Sequence, residues 1–277
     1  MRLVDSHCHL QADRFGTDVD AVIERARDAG VERILVPGWN AWSSAAALDL
    51  VGRHPWLDAA VGVHPHDAAK VAAGEWSLIA ALARDERVVA IGETGLDYDR
   101  VFSPIDDQLA NLRRNLALAL ETGKPVILHC RSRAGERDAQ DALLAEVRAV
   151  PGLRVVIHSF SGSVDYAEAM IELGAAISIS GLAFRTGEAA TAEVAALVPG
   201  RQLLVETDSP FLTPPGGPRR RNEPSAVAIT AAWVAAQRGI GEGDEVALAR
   251  FGDHLVETFE RTFPGPISPD RPGGRDP

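Results

Sequence analysis

"VDSHCHL", residues Val4–Leu10, joins a short apolar run to two histidines that are separated by a single residue. Side chains at positions i and i+2 of a β-strand point to the same side of the sheet, so His7 and His9 project together and Cys8 points away. This stretch therefore predicts a strand that delivers a pair of imidazoles at its carboxyl end.

Strand-like runs of this kind alternate with Ala- and Leu-rich stretches along the whole chain. The stretches Asp18–Gly30 and Asp107–Gly123 have apolar residues at helical spacing and close with a glycine, which is typical of a helix end. Strands that alternate with helices predict parallel βαβ units. The eight strand-like runs are Arg2–Ser6, Arg33–Gly38, Leu57–Pro65, Val88–Gly95, Pro125–Cys130, Leu153–Phe160, Ala175–Ser180 and Leu203–Pro210.

Eight such units in roughly 260 residues predict a single-domain, TIM-type (β/α)8 barrel. The alternative is an open doubly wound sheet, but the Gly-rich turn of that fold, G-x-G-x-x-G, is missing after the first strand. We predict that the barrel spans residues 1–263 and that residues 264–277 form a flexible tail rich in proline and glycine.

The composition is that of an ordinary globular protein, with 46% hydrophobic and 24% charged residues in a chain of 277. No apolar run reaches the roughly 18 residues of a membrane span, and no signal-peptide core follows the first methionine. Two cysteines make no disulfide framework, so we expect a cytoplasmic protein with no membrane partner and no stable protein partner. The net charge of −11 argues against nonspecific coating of nucleic acid, but an enzyme that grips a few phosphates remains possible.

Ionisable residues fall at the carboxyl ends of most predicted strands, where a (β/α)8 barrel places its active site. Six of the eight histidines in the chain lie at or near these ends. Each residue alone has an ordinary structural explanation, such as a turn or a cap, but their common position favours a shared site. The residues at or near these ends are His7, His9, His64, His66, Glu93, His129, His158 and Asp208.

Six of these residues make a nitrogen and oxygen donor set that suits divalent ions such as Zn²⁺ or Mn²⁺, with Mg²⁺ possible. They are His7, His9, Glu93, His129, His158 and Asp208. Six ligands exceed the needs of one tetrahedral ion, but two ions about 3.5–4 Å apart that share one carboxylate would use them all. Glu93 lies between the histidine groups in strand order and is the natural bridge. Glu206 shares the inward face with Asp208 and is interpreted as a buried partner of a ligand, whereas His64 and His66 fit either substrate contact or loop structure.

Seven motifs along the chain resemble those of one known family, in the same order and at the same spacing. They are VDSHCHL, GVHPH, IGETGLDY, KPVILHCR, IHSFSG, LLVETDSP and NEP. The set resembles the TatD family of metal-dependent deoxyribonucleases, which belongs to the amidohydrolase-like barrels, over about residues 1–263. The resemblance implies exonuclease action from a 3′ end, preferably on single strands.

The resemblance also implies a division of the ligands between two metal ions. His7, His9 and Asp208 would hold one ion, His129 and His158 would hold the other, and Glu93 would bridge both. The chain departs from the family pattern at positions around the metal ligands, which affects the substrate-binding rim more than the metal centre. These departures are Gln11, Leu112, Asn115 and Arg133.

The leading hypothesis is hydrolysis of a DNA phosphodiester, in which two ions lower the pKa of a water and neutralise phosphate charge. Asp208 would orient or deprotonate the water, and Arg131 and His64 would hold the phosphate. Arg219–Arg221 either guides the strand or forms a solvated loop.

Two other classes of function stay open at the level of sequence. Hydrolysis of an amide or ester, including deacylation of D-aminoacyl-tRNA, would use the same centre. Aromatic residues make up only 5% of the chain, so an extended base-stacking platform is not evident. A barrel that only binds metal or a partner is the third hypothesis, and the intact ligand set argues against it.

Overall fold

Eight parallel strands form one sheet in which every strand pairs with its neighbours in chain order. The computed structural model describes residues 1–265, so most of the predicted tail, 264–277, lies outside the described residues. Each predicted strand-like run overlaps one of the strands, which are β1 (Leu3–Asp5), β2 (Val31–Pro37), β3 (Leu57–Val61), β4 (Val88–Asp97), β5 (Val126–Arg131), β6 (Val155–Ile157), β7 (Ala176–Ile179) and β8 (Leu203–Val205).

Hydrogen bonds just beyond β1 and β8 bring the first and last strands together. The backbone N–H of Ser6 donates to the carbonyl of Val205 at 3.0 Å, and that of Asp208 donates to the carbonyl of His7 at 2.9 Å. The predicted (β/α)8 barrel is thus confirmed, and the open doubly wound sheet is wrong because the sheet runs in chain order and its two edges meet. The closing contacts lie on the segments that carry His7 and Asp208.

Helices connect the strands and cover the outside of the sheet. The two helices predicted from spacing are confirmed: α1 (Val19–Asp28) ends two residues before Gly30, and α4 (Ile105–Thr122) ends where Gly123 adopts a left-handed φ of +66°. The helices are α1 (Val19–Asp28), α2 (Ala41–Arg53), α3 (Ala73–Leu82), α4 (Ile105–Thr122), α5 (Asp138–Arg148), α6 (Val164–Glu172), α7 (Ala190–Leu197), α8 (Val227–Gln237) and α9 (Glu245–Thr262). Within residues 1–265, no helix combines the length and the apolar character needed to cross a bilayer.

The core consists mainly of buried aliphatic side chains from the strands and the inner helix faces. A charged pair interrupts the core near the starts of β2 and β3, at the end of the barrel opposite the carboxyl ends of the strands. There the Arg33 guanidinium donates from Nε to Asp58 Oδ2 at 2.7 Å and lies 5.0 Å from the Phe259 ring. Both charged side chains are almost fully buried, and their pairing offsets part of the cost of removing each charge from water.

Gly95 allows an unusually close approach between β4 and β5. Its φ is +137°, and a Cβ at this position would lie 2.0 Å from the backbone oxygen of His129. Only glycine fits such a contact without displacement of a strand. The close approach sets the distance between the polar residues at the ends of these two strands.

Candidate active site

A cavity of about 1030 Å³ opens at the carboxyl ends of the strands. Residues at or after the carboxyl ends of all eight strands line this cavity, and the segment after β7 contributes Leu182 and Glu188. The polar residues predicted from the strand ends meet at its floor. Position and residue types together mark this cavity as the candidate active site.

Glu93 lies at the centre of the floor, and one of its carboxylate oxygens faces three imidazoles. Oε1 is 3.1 Å from His129 Nδ1, 3.1 Å from His158 Nε2 and 3.2 Å from His64 Nε2. His129 and His158 are predicted ligands, whereas His64 is predicted to contact substrate. The structure therefore places His64 as near to Glu93 as the two predicted ligands.

The other oxygen of the same carboxylate faces the histidine pair of the first strand. Glu93 Oε2 is 3.3 Å from His7 Nε2 and 3.5 Å from His9 Nε2. Asp208 completes this side, with its Oδ1 3.8 Å from His7 Nε2 and 3.5 Å from His9 Nε2. One glutamate thus stands between two separate groups of imidazoles, with one oxygen directed to each group.

The backbone around His7 and Asp208 is held by a buried carboxylate. Asp5 accepts hydrogen bonds from the backbone N–H of His7 at 3.2 Å, and from the N–H and hydroxyl of Thr207 at 2.9 and 2.6 Å. Asp208 itself adopts a left-handed φ of +54°, which aspartate tolerates better than most residues. These contacts join the ends of β1 and β8 and fix the direction of the side chains that follow them.

The buried ionisable groups of the floor differ in the direction of their pKa shifts. Burial lowers the pKa of His7 to about 3 and that of His64 to about 4. Burial also opposes ionisation of Glu93, but the neighbouring histidines His64, His158 and His7 outweigh it and hold the pKa of Glu93 well below its usual range. Burial opposes charge on His158, but Glu93 and Glu206 outweigh it and hold the pKa of His158 well above its usual value.

The donor set fits divalent metal ions. His7 Nε2 and His9 Nε2 are 3.2 Å apart, and the buried Nδ1 of His7 has no hydrogen-bond partner within the described part of the chain. A cation bound to the two Nε2 atoms would take a lone pair from each ring and neutralise the adjacent carboxylates, although His7 Nδ1 would still lack a partner. Three sets of side chains place their ligand atoms within 4.8 Å of one another, and they are His7–Glu93–His158, His7–His9–Asp208 and His64–Glu93–His129.

Glu206 lies behind the His158 imidazole, on the side away from Glu93. This fits its interpretation from the sequence as a buried partner of a ligand. Its Oε1 accepts from His158 Nδ1 at 2.9 Å, and Ser6 Oγ donates to its Oε2 at 3.4 Å. The Glu206 side chain is fully buried. A carboxylate on Nδ1 fixes the His158 ring with Nε2 directed at Glu93.

Asp97 is a residue of the site that the sequence reasoning missed. It is almost fully buried, and its Oδ2 is 2.7 Å from His66 Nε2 and 3.4 Å from His129 Nε2. Burial opposes its ionisation, but the hydrogen bonds with His129 and His66 outweigh it and hold the pKa of Asp97 below its usual range. The signal was available, because Asp97 follows Glu93 by four residues in a strand and therefore shares its face.

The arginines singled out in the sequence occupy different places. Arg131 lines the cavity and donates from Nε to Asp99 Oδ2 at 2.8 Å. Arg133 is exposed at the rim of the same cavity. Arg221 instead pairs with Asp18 at 2.6 Å, and none of Arg219–Arg221 lines the cavity. The solvated-loop interpretation therefore fits this segment better than a role in guiding the strand.

The two cysteines are free and buried, and the three candidate ligand sets contain neither of them. This agrees with the alternation that directs Cys8 and Cys130 away from the imidazoles beside them. Burial raises the pKa of Cys130 to about 12 and that of Cys8 well above its usual value. Both thiols therefore remain protonated and pack as small apolar groups.

A (β/α)8 barrel that collects histidines and carboxylates at the carboxyl ends of its strands has the architecture of a metal-dependent hydrolase. Comparison with known families makes this class specific. The model of the family described as TatD related DNase matches residues 4–263. The chain belongs to this family.

Relatives of known sequence and structure agree with the assignment. The chain is 37% identical over 262 residues to the uncharacterized metal-dependent hydrolase YabD of Bacillus subtilis, with 94% of this chain and 98% of the relative covered. It is also 37% identical over 250 residues to the 3′-5′ ssDNA/RNA exonuclease TatD of Erwinia billingiae, with 86% and 92% covered. The crystal structure of YJJV, a TatD homologue from Escherichia coli K12, superposes with a TM-score of 0.84 at 30% identity and covers 96% of this chain and 99% of its own.

Proposed function

We propose that the chain is a metal-dependent 3′-5′ exonuclease that hydrolyses the phosphodiester bonds of single-stranded DNA. The observation that carries this proposal is the Glu93 carboxylate, which directs one oxygen to the His7 and His9 pair and the other to His129 and His158. The names of several relatives, which act on single-stranded DNA or RNA from the 3′ end, support the substrate and the polarity.

The proposed centre holds two divalent ions, Mg²⁺, Mn²⁺ or Zn²⁺, bridged by Glu93. His7, His9 and Asp208 are the proposed ligands of one ion, and His129 and His158 are the proposed ligands of the other. When bound, such ions lower the pKa of a water and neutralise charge on the phosphate oxygens. The distances among these side chains support the division, although His64 is close enough to Glu93 and His129 to add a further nitrogen.

Asp208 and Glu93 are the proposed catalytic carboxylates. The Asp208 side chain is 14% exposed, whereas that of Glu93 is only 3% exposed, so Asp208 is the one that solvent and substrate reach. A carboxylate in this position orients the attacking water and accepts its proton. Glu93 instead keeps the two groups of imidazoles at a fixed separation.

Arg131 and His64 are proposed to hold the substrate phosphate. The Arg131 side chain is 43% exposed, and its hydrogen bond to Asp99 uses Nε and not the terminal nitrogens. Guanidinium N–H groups bind two phosphate oxygens at once, which would place the scissile bond next to Glu93. His64 lies between Glu93 and His66 and is therefore placed either to contact the phosphate or to support the metal centre.

We propose the cytoplasm as the compartment of the protein, because its two cysteines are buried free thiols.

A pair of matched oligonucleotides tests this proposal. One single-stranded DNA carries a label at its 5′ end and the other carries it at its 3′ end, and each is incubated with Mg²⁺, Mn²⁺ or EDTA. We expect the 3′ label to be released first and the 5′-labelled strand to shorten stepwise, only with metal. Glu93→Ala, checked for folding by circular dichroism, controls for a contaminating nuclease.

The outcome separates the proposal from its rivals. If the wild-type protein and Glu93→Ala are equally active or equally inert on DNA, the nuclease proposal fails. Cleavage of a carboxylic ester or D-aminoacyl-tRNA by the same preparation, with intact DNA, would assign the centre to acyl substrates. An RNA oligomer of the same sequence shows whether the enzyme distinguishes the two sugars.

A further inference from the structure

The exposed aromatic side chains of this protein are concentrated at the mouth of the active site. Within residues 1–265, the aromatic side chains among the exposed large hydrophobic residues are Trp42, Phe102 and Phe211, at 59%, 64% and 47% exposure. Each follows the carboxyl end of a strand, namely β2, β4 and β8. Aromatic rings exposed to water at one end of a barrel form a contact surface and not a core.

Phe211 and Trp42 belong to a continuous row of rings that includes His9, a proposed metal ligand. Phe211 and Trp39 flank His9, with ring centroids 6.1 and 5.3 Å from the imidazole, and Trp42 lies 6.3 Å beyond Trp39. Trp39 and Phe211 also line the cavity. The Arg14 guanidinium lies 5.8 Å from the Phe211 ring and adds a positive charge to the row.

The opposite side of the mouth carries several arginines, beside the carboxylates of Asp99 and Glu136. Arg100, Arg131 and Arg133 line the cavity from the loops after β4 and β5, which lie about half a barrel away from β1. Arg100 and Arg133 form no ion pair with any carboxylate in the part of the chain that the structure describes. The entrance therefore offers flat apolar rings on one side and unpaired guanidinium groups on the other.

We propose that Trp39, Trp42 and Phe211 form a stacking wall for the unpaired bases of the substrate strand, while Arg100 and Arg133 contact its phosphates. The inference rests on the proposed nuclease function and adds to it the residues that select a strand with unpaired bases. Charge complementarity favours this occupant, because a polyanion with exposed aromatic bases matches both sides of the mouth at once. A base-paired end presents its bases to each other and cannot use the wall.

The low aromatic content of the chain gave no indication of this surface. Aromatic residues make up only 5% of the chain, so an extended base-stacking platform is not evident from the sequence. The structure brings together three of these few residues from positions that are far apart in sequence, after β2 and after β8. Their position, and not their number, makes them a candidate platform.

The experiment combines changes in the protein with changes in the substrate. Phe211→Ala and Trp42→Ala are compared with Phe211→Tyr, which keeps a ring, and with Leu120→Ala, an exposed residue of α4 outside the cavity. Each protein is assayed on a single-stranded oligomer with natural nucleotides and on oligomers with one abasic site at each of the four 3′-terminal positions. Kd is measured by fluorescence anisotropy in EDTA, and kcat/KM is measured with metal.

We expect Phe211→Ala and Trp42→Ala each to weaken binding of the natural oligomer by about 5- to 150-fold, the range for removal of one base-stacking ring. Phe211→Tyr and Leu120→Ala should bind like the wild type. An abasic site at the stacked position should weaken the wild type by the same factor, and should cost the matching alanine variant nothing more. Such non-additive losses identify direct contact between the ring and the base.

Two results overturn the proposal, and they differ in what else they affect. If the wild type trims the strand but the alanine variants and the abasic oligomers show no loss, or show losses that multiply, the stacking wall is refuted while the nuclease function stands. If the wild type neither binds nor trims single-stranded DNA, the nuclease function and the stacking wall both fail.

Discussion

Replacement of Glu206 by glutamine removes one negative charge behind the metal site and leaves its shape intact. Glu206 Oε1 accepts from His158 Nδ1 at 2.9 Å, and both side chains are buried, at 0% and 4% exposure. Glutamine still offers an oxygen to Nδ1 and can place its amide beside Ser6. The substitution therefore tests the charge of this partner separately from its hydrogen bond.

The expected magnitude follows from the difference between charged and neutral hydrogen bonds. A hydrogen bond to a charged group contributes about 1.5–3 kcal/mol, and a neutral one contributes about 0.5–1.5 kcal/mol. The midpoints of the two ranges differ by about 1.3 kcal/mol, which corresponds to a factor of roughly ten in metal affinity. Glu206→Ala also leaves Nδ1 without an acceptor, so we expect a loss of about 10- to 100-fold, as is usual for partners of metal-bound histidines.

Calorimetric titration of EDTA-treated, dialysed protein with Mn²⁺ or Zn²⁺ measures the affinity directly. Thermal unfolding at a fixed excess of metal is an independent measurement, because a tenfold weaker Kd removes about 1.4 kcal/mol of ligand stabilisation. Glu188→Gln is the matched control, since Glu188 lines the same cavity but is bonded to Ser161 at 2.9 Å and not to an imidazole. Wild-type metal affinity in Glu206→Gln would refute the argument that this carboxylate supports His158.

Three further predictions address the packing of the barrel. Cys8 and Cys130 are buried and their pKa values are raised, so a thiol reagent should label neither in the native protein and both after denaturation in urea. Arg33→Met should destabilise the fold by about 3–5 kcal/mol in urea titrations, whereas the double change with Asp58→Leu should restore much of that loss. Gly95→Ala should destabilise by about 1–3 kcal/mol or more, because the new Cβ would meet a backbone oxygen of β5 at 2.0 Å.

The sequence predicts the barrel and most of the site because both follow from local periodicity. Alternation within a strand places His7 and His9 on one side, and the carboxyl ends of parallel strands meet at one edge, so residues such as Glu93 and His129 are brought together by the fold class alone. Asp97 was missed although the same alternation applies to it. Asp97 lies four residues after Glu93 in β4, so the alternation places both carboxylates on one face of the strand.

Other features of the site depend on loop conformation, which strand periodicity does not specify. His64 follows a strand end, but its 3.2 Å distance to Glu93 depends on the turn that places His64 before a short 3-10 helix at Pro65–Lys70. The row formed by Trp39, Trp42 and Phe211 depends on the closure of the barrel, which makes β8 and β2 the two neighbours of β1. Sequence spacing contains no information on such contacts between distant loops.

The floor and the mouth of the cavity have separate roles in the proposed function, namely the activation of water and the selection of the substrate. The floor, built around Glu93, determines whether the protein can activate a water with metal, and this chemistry serves phosphate and carboxylic esters alike. In the proposed stacking wall, the rings and guanidinium groups of the mouth would contact the parts of a substrate that do not react, and would thus select which ester reaches the floor. A protein that kept the floor but lost Phe211 and Arg133 would retain the means of hydrolysis without the means of selecting a strand. On the proposal made above, the choice of substrate therefore depends on the loops after β2, β4, β5 and β8, which carry the rings of the stacking wall together with Arg100 and Arg133.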